Sequence, residues 1–205
     1  MRFFKVLFLA LTLCGSGFVA NVQATTYEEG THYEKRSDVK SKTPEIREFY
    51  SYWCGHCYSM QDMFHRIADK FKDKAKFVRN PVDLMGGAMG PESQKALAVA
   101  TLIGIDDEFS NTLFKSMHQE GKIPHSVNDF VYIFEQLGIP EDKFNRDYIS
   151  FPVQGMVASW NKATKDLNID AVPEIVVNGK YVVNMSAVNN EEELIDVIGY
   201  VLTLD

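Results

Sequence analysis

The chain has 205 residues, and its 21 Lys and Arg residues against 28 Asp and Glu residues give a formal net charge of −7. With 45% hydrophobic and 24% charged residues, it has the composition of an ordinary globular protein that is long enough to bury a sizeable core. An acidic surface lacks the basic face that contacts to nucleic-acid phosphates need, so we expect no nucleic-acid partner.

The first 24 residues follow the three-part order of a secretory signal peptide. Two cations lie among the first five residues, an apolar run covers 6–14, and a small-residue stretch ends at Ala24. The run is shorter than the roughly 20 apolar residues that a membrane-spanning helix needs. A lipoprotein signal is disfavoured because Leu13 stands where a small residue would be required before Cys14. We therefore expect cleavage after Ala24 and export to an oxidising compartment.

Cleavage after Ala24 leaves Cys54 and Cys57 as the only cysteines of the exported chain. Two residues separate them, and closing so short a loop restricts the unfolded chain little, so stabilisation by a structural disulfide is a weak explanation. The pair therefore indicates redox chemistry, with a structural disulfide or a metal site as the alternatives.

The first half of the exported chain predicts a strand–helix–strand unit. Residues 25–42 form a polar arm with one possible edge strand, and the β-branched and aromatic residues of 45–53 predict a strand. The Cys-Gly-His-Cys motif follows at once. Apolar residues at helical spacing predict a helix over 58–71, and 76–82 predicts a second strand. The motif is thus expected at the N-terminus of the first helix.

The second half predicts a helical block followed by a return to β-structure. After a break over 81–91, helical patterns cover 92–103, 107–118, 126–137, 141–149 and 153–167. Asn178-Gly179 joins two short β-rich runs, 174–177 and 180–184, as a hairpin, and a helix over 191–204 closes the chain. This order predicts an α/β thioredoxin fold with a central mixed sheet and an inserted helical subdomain. We assign residues 25–87 and 168–205 to the thioredoxin-like domain and 88–167 to the insertion.

Four motifs, in this order, resemble the thioredoxin superfamily and most closely the DsbA family of periplasmic disulfide oxidases. They are the segments 49–58 (FYSYWCGHCY), 84–87 (LMGG), Val172-Pro173 and 177–181 (VNGKY). The resemblance covers essentially the whole exported chain. One departure is Gly55-His56, since that family commonly has Pro-His there and Gly-His is typical of protein disulfide isomerase.

The two cysteines are expected to have unequal roles. At a helix N-terminus the unpaired N–H groups and the helix dipole favour an anion, so Cys54 is the sulfur that a substrate thiolate attacks. Cys57 lies one turn further on and faces inward, as the buried partner. His56 between them is expected to stabilise the Cys54 thiolate.

The resemblance further implies a cis peptide bond at Pro173, preceded by Val172, opposite the cysteines. Such a bond would expose backbone groups beside Cys54, where an extended substrate pairs as an added strand. Glu48 and Arg79, on neighbouring strands, are expected to form a buried ion pair under Cys57 that tunes the thiol pKa, or one that is only structural.

The preferred interpretation is a periplasmic dithiol oxidase that introduces disulfide bonds into exported proteins with free thiols. The resemblance implies re-oxidation by a membrane quinone-linked partner of the DsbB type. We expect a monomer, with no organic cofactor and no metal. The alternatives are an isomerase or reductase that uses the same cysteines, and a metal-binding or chaperone module. Surface or packing roles are expected for the remaining histidines: His32, His65, His118 and His125.

Overall fold

The computed structural model describes residues 26–204, so the expected signal peptide and its cleavage site lie outside the described residues. Within that range no helix is both long enough and apolar enough to cross a membrane.

A five-stranded mixed sheet forms the centre of the thioredoxin-like part of the described chain. Its strands are β1 (Tyr33–Lys35), β2 (Glu45–Tyr50), β3 (Lys76–Pro81), β4 (Glu174–Val177) and β5 (Tyr181–Val183). The spatial order is β1-β5-β4-β2-β3. Only β2 and β3 are parallel, and the other neighbours are antiparallel. The predicted mixed sheet and the predicted edge strand in the N-terminal arm are both confirmed.

β2 is shorter than its sequence pattern predicts. The aromatic run suggested a strand over 45–53, but the strand ends at Tyr50. The chain turns there, because the Cys54 backbone N–H donates a hydrogen bond to the Ser51 carbonyl oxygen at 3.1 Å. The aromatic residues of this turn pack into the protein interior instead of continuing the sheet, and the motif starts directly after it.

The predicted helix over 58–71 is wrong in two respects. A short helix, α1 (Gly55–Ser59), begins inside the motif, and a second helix, α2 (Gln61–Phe71), follows it. They divide at Met60, whose φ of −97° and ψ of −1° depart from regular helix geometry. The fully buried Ile67 fixes the inner face of α2.

Five helices form the predicted helical block, within a few residues of their expected bounds. They are α3 (Met89–Ile103), α4 (Asp106–His118), α5 (Val127–Gln136), α6 (Glu141–Tyr148) and α7 (Phe151–Asp166). α7 starts earlier than its apolar pattern because Pro152 is tolerated in a first helical turn. The assignment of 88–167 as a separate domain stays a prediction.

The C-terminal hairpin has the expected turn residues. Asn178 and Gly179 adopt φ values of 55° and 65°, and the Lys180 N–H donates to the Val177 carbonyl oxygen at 3.1 Å. Lys180 belongs to this turn, so β5 begins one residue later than predicted. The closing helix α8 (Glu191–Val201) ends three residues before its predicted bound and places three glutamates in its first turn.

Two hydrophobic cores are large, and one of them contains both cysteines of the motif. One lies between the sheet, α2 and α8, around Ile46, Ile175 and Val197. The other fills the helical block with five buried phenylalanines and continues into Tyr50, Tyr52 and both cysteines. The motif is therefore built into the junction between the sheet and the inserted helices.

Candidate active site

Cys54 caps the N-terminus of α1. Its backbone is extended, with φ of −92° and ψ of 108°, and its Sγ accepts a hydrogen bond from the Cys57 N–H at 3.1 Å. Cys54 is 8% exposed, whereas Cys57 is 0% exposed, and both are free thiols in this structure. The sulfur of Cys54 thus lies where the helix N-terminus stabilises negative charge, at the edge of the protein interior.

Cys57 is the buried member of the pair. Burial raises the pKa of its thiol well above the ordinary value, and the hydrogen bond with Cys54 and the charge of Glu48 act in the same direction. Since only the deprotonated form attacks disulfides or binds metals, Cys57 keeps its proton under conditions in which an accessible thiol reacts. The structure therefore makes the two sulfur atoms chemically unequal.

The Val172–Pro173 peptide bond is cis and lies beside Cys54. The Cys54 thiol donates a hydrogen bond to the Val172 carbonyl oxygen, with an Sγ–O distance of 3.6 Å. Two segments 118 residues apart in sequence therefore meet at the Cys54 sulfur. Backbone groups next to Cys54 are thus part of the same site.

Glu48 and Arg79 form an ion pair under the site. The parallel register of β2 and β3 places them opposite each other, and the Arg79 Nε donates to Glu48 Oε2 at 3.1 Å. Glu48 is 1% exposed, and its Oε1 has no hydrogen-bond partner among the described residues. Burial raises the pKa of the Glu48 carboxyl, and the Arg79 guanidinium opposes this only in part. The guanidinium also stacks on the Tyr50 ring, 4.4 Å from its centroid.

His56 lies between the two cysteines, and the loop 84–87 lies against Trp53, the residue before Cys54. His56 is exposed in the first turn of α1, between the cysteines. In the loop, Gly86 adopts φ of 83°, and a Cβ there would lie 2.5 Å from the Trp53 ring. Leu84 and Met85 are exposed hydrophobic residues beside it. Gly86 is thus required both for its backbone conformation and for the position of Trp53, the residue before Cys54.

Substituting Gly86 by Ala should lower disulfide-exchange activity about tenfold or more, because the added methyl group displaces Trp53 next to the reacting atoms. Gly87→Ala is the matched control. Gly87 also has positive φ, at 53°, but nothing lies within 4 Å of its Cβ position. Backbone strain should cost each variant about 1–2 kcal/mol of stability, and the clash with Trp53 should add to this loss in Gly86→Ala. Equal activities of the two variants, measured as the rate of thiol oxidation in a model substrate, would contradict this account.

His118 is a neighbour of the motif that sequence reasoning assigned to surface or packing. It does pack, but against the active-site segment: its Nε2 lies 2.8 Å from the Tyr52 carbonyl oxygen, and its ring stacks on Tyr58 at 5.0 Å and 9°. Sequence patterns carry no signal for this contact, because it depends on where the end of α4 docks.

Among residues 26–204, no group of three or more His, Cys, Asp or Glu side chains is arranged to hold a metal ion.

A family model described as a DSBA-like thioredoxin domain matches residues 45–196. The chain belongs to this family. The Escherichia coli K12 thiol:disulfide interchange protein DsbA is 32% identical over 178 residues, which cover 85% of this chain and 85% of that protein. The protein of the same name from Salmonella typhimurium LT2 is 30% identical over 178 residues, covering 85% of this chain and 84% of that protein.

Solved structures of DSBA-like proteins agree with this assignment. The DsbA crystal structure from Klebsiella pneumoniae has a TM-score of 0.80 and 26% identity, and the match covers 88% of this chain and 100% of that one. A Proteus mirabilis DsbA variant with a non-covalently bound peptide has a TM-score of 0.77 and 27% identity, with coverage of 88% and 100%. The chain is therefore a disulfide oxidoreductase with a thioredoxin-like fold and a helical insertion.

Proposed function

We propose that this disulfide oxidoreductase works as a dithiol oxidase, which donates a Cys54–Cys57 disulfide to thiols of newly exported proteins. The observation that carries the proposal is the inequality of the two sulfur atoms. The Cys54 sulfur accepts a hydrogen bond at the helix N-terminus and Cys54 is 8% exposed, whereas Cys57 is 0% exposed and has a raised thiol pKa. Interactions that stabilise the reduced pair make the disulfide a stronger oxidant.

The proposed reaction proceeds by two exchanges. A substrate thiolate attacks the Cys54 sulfur, the Cys54–Cys57 bond breaks, and the Cys57 sulfur leaves and takes up a proton. A second substrate thiolate then attacks the substrate sulfur of the mixed disulfide, and Cys54 leaves as a thiolate. The two substrate thiols together lose two electrons, and the protein disulfide gains them. His56 in the first turn of α1 would stabilise the Cys54 thiolate that results.

Glu48 and Arg79 support this reaction as the source of the proton that Cys57 needs. Because burial raises the pKa of Glu48, its carboxyl group holds a proton at a higher pH than an exposed one. The pair lines a cavity of about 500 Å³ between α2, β3 and the helical block, together with Gln61 and Trp160. A cavity of that size holds water, so it offers a proton a route between the ion pair and solvent.

Substrate peptides are proposed to bind beside Cys54 at Val172 and Pro173. The Val172 carbonyl already accepts a hydrogen bond from the Cys54 thiol, so its neighbours can pair with an extended chain as it approaches the sulfur. The peptide bound to the Proteus mirabilis relative is consistent with a peptide-binding surface in this family. Exposed Leu84 and Met85 extend that surface with apolar area.

The proposed location is the periplasm, which the signal-peptide pattern of residues 1–24 supports. An oxidase must be re-oxidised after each cycle, and we propose a membrane quinone-linked partner of the DsbB type for this step. The protein is proposed to act as a monomer, without a bound metal or organic cofactor.

Equilibration of the purified protein with reduced and oxidised glutathione tests the direction of the reaction. We expect the protein disulfide to oxidise glutathione and to form disulfides in a reduced, unfolded substrate protein. A strongly reducing equilibrium would overturn the oxidase proposal. The isomerase alternative, which Gly55-His56 favours, predicts instead that the reduced protein repairs a substrate with scrambled disulfides when no oxidant is added.

A further inference from the structure

The position of His118 gives the motif a second imidazole neighbour. His118 is the last residue of α4, and the free carbonyl groups at the C-terminus of a helix favour a cation. Its ring stacks on Tyr58 of α1. Gln119, the next residue, donates a hydrogen bond from its side chain to the Tyr58 hydroxyl. The end of α4 is therefore held against the active-site helix by contacts to two consecutive side chains.

The hydrogen bond to Tyr52 determines which ring nitrogen of His118 carries the proton. A backbone carbonyl oxygen only accepts hydrogen bonds, so Nε2, which lies 2.8 Å from the Tyr52 oxygen, must be the donor. In the neutral ring Nδ1 then bears the lone pair. Nδ1 also lies 4.0 Å from the position that a Cβ of Gly55 would take. The proton-accepting edge of His118 thus faces the residue that follows Cys54.

We propose that His118 is a positioning residue of the redox site, which takes up on Nδ1 a proton released during reduction of the disulfide. The imidazolium formed then stabilises the Cys54 thiolate through space. This inference rests on the proposed oxidase function, because it concerns the charge that appears when the disulfide accepts electrons.

The proton balance of the reaction leaves one proton for this site. Two substrate thiols give up two electrons and two protons in forming their disulfide. The electrons break the Cys54–Cys57 bond. One proton replaces the proton that Glu48 gives to Cys57, whose buried thiol favours the protonated form. The other goes to Nδ1 of His118 while Cys54 stays a thiolate. No additional oxidant or reductant is needed.

The charged and titratable groups around His118 determine how its protonation responds to the redox state of the cysteine pair. Tyr58 stacks on the His118 ring, Cys54 and His56 are the chain neighbours of Gly55, whose Cβ position lies 4.0 Å from Nδ1, and Lys115 lies one turn back on α4. Of these groups, only Cys54 changes its covalent state when the disulfide is reduced, and in the proposed step it becomes a thiolate. Protonation of His118 and reduction of the disulfide are therefore coupled, and the coupling acts equally in both directions.

The first test compares the wild-type protein with His118→Gln in glutathione equilibria at pH 6 and pH 8.5. Gln still offers an N–H donor towards the Tyr52 carbonyl but cannot become a cation. Imidazoles change charge between pH 5 and 8. At pH 6 the equilibrium constant for reduction of the protein disulfide by glutathione should therefore be about 3- to 10-fold larger for the wild type than for the variant. At pH 8.5 the two constants should agree within about twofold. His125→Gln, which replaces an exposed histidine at the start of α5, is the matched control and should behave as wild type.

An unchanged equilibrium in His118→Gln at pH 6, or an equal offset at both pH values, would overturn the proposal. The second test needs no variant: NMR follows the protonation of the His118 ring in the oxidised and the reduced wild-type protein. At pH 6 a larger share of the His118 rings should carry a proton on Nδ1 in the reduced protein than in the oxidised protein, and equal shares would overturn the proposal. A wild-type protein that exchanges normally but proves strongly reducing would contradict the oxidase function alone, and the NMR comparison would still decide the role of His118.

Discussion

Replacing Cys54 by Ser is expected to abolish disulfide exchange, whereas replacing Cys57 by Ser should leave the first exchange intact and stop the reaction at a mixed disulfide. Cys54 is 8% exposed and its sulfur lies at the helix N-terminus, so we expect a partner sulfur to reach Cys54 before Cys57. Cys57 is completely buried. When the reduced protein meets an external disulfide, we therefore expect Cys57 to act on the mixed disulfide at Cys54 and not on the partner directly. The two substitutions are isosteric, so differences between them report on the position of each sulfur.

The experiment incubates each reduced variant with a peptide that contains a disulfide and measures the products by mass spectrometry. Cys57→Ser should accumulate one covalent adduct at Cys54, because the thiol that would resolve it is missing. Cys54→Ser should form no adduct within the same time, because burial keeps Cys57 protonated and out of reach. An adduct on Cys57 in the Cys54→Ser protein, at a comparable rate, would contradict the assigned roles.

Replacing Arg79 by Met is expected to destabilise the protein by about 3–5 kcal/mol at pH 8, because it leaves the Glu48 carboxylate buried without its cation. The loss should be smaller at pH 5. Burial raises the folded-state pKa of Glu48, and the Arg79 guanidinium lowers that pKa. Removing the guanidinium therefore raises the Glu48 pKa further. The folded variant therefore binds a proton that the unfolded chain releases, so its stability falls as pH rises above the ordinary carboxyl range. Urea unfolding at the two pH values measures both effects.

The double variant Glu48→Gln/Arg79→Met is the control for this prediction. With the carboxylate removed, no buried charge is left unpaired, so at least half of the lost stability should return at pH 8. The remaining loss should also be independent of pH between 5 and 8, because Gln does not titrate. A loss in Arg79→Met that is equal at both pH values would show that the guanidinium acts by packing on Tyr50 and not by pairing with Glu48.

Sequence patterns were sufficient for the parts of the site that depend on local structure. The motif had to lie after a strand and at a helix N-terminus, and the alternation of residues along β2 and β3 brought Glu48 and Arg79 to the same face. Periodicity also identified the helices of the insertion, because each buries an apolar face.

Other features depend on contacts between distant segments and could not be predicted. The aromatic run ends its strand at Tyr50 because the following turn packs into a core supplied by the inserted helices. The break at Met60 lies inside an uninterrupted helical pattern, so hydrophobic spacing alone gave no sign of it. The contact of His118 with Tyr52 joins residues 66 positions apart and follows from the docking of α4.

Both cysteines belong to the core that is completed by the phenylalanines of the insertion. The bond between the two sulfur atoms and the folding of the chain therefore form one thermodynamic cycle. In such a cycle two free-energy differences are equal. The first is the extra stability against unfolding of the dithiol form compared with the disulfide form. The second is the extra oxidising power of the cysteine pair in the folded protein compared with the unfolded chain. Mutations deep in the helical block, far from either sulfur, will consequently alter the reduction potential whenever they stabilise one redox form more than the other.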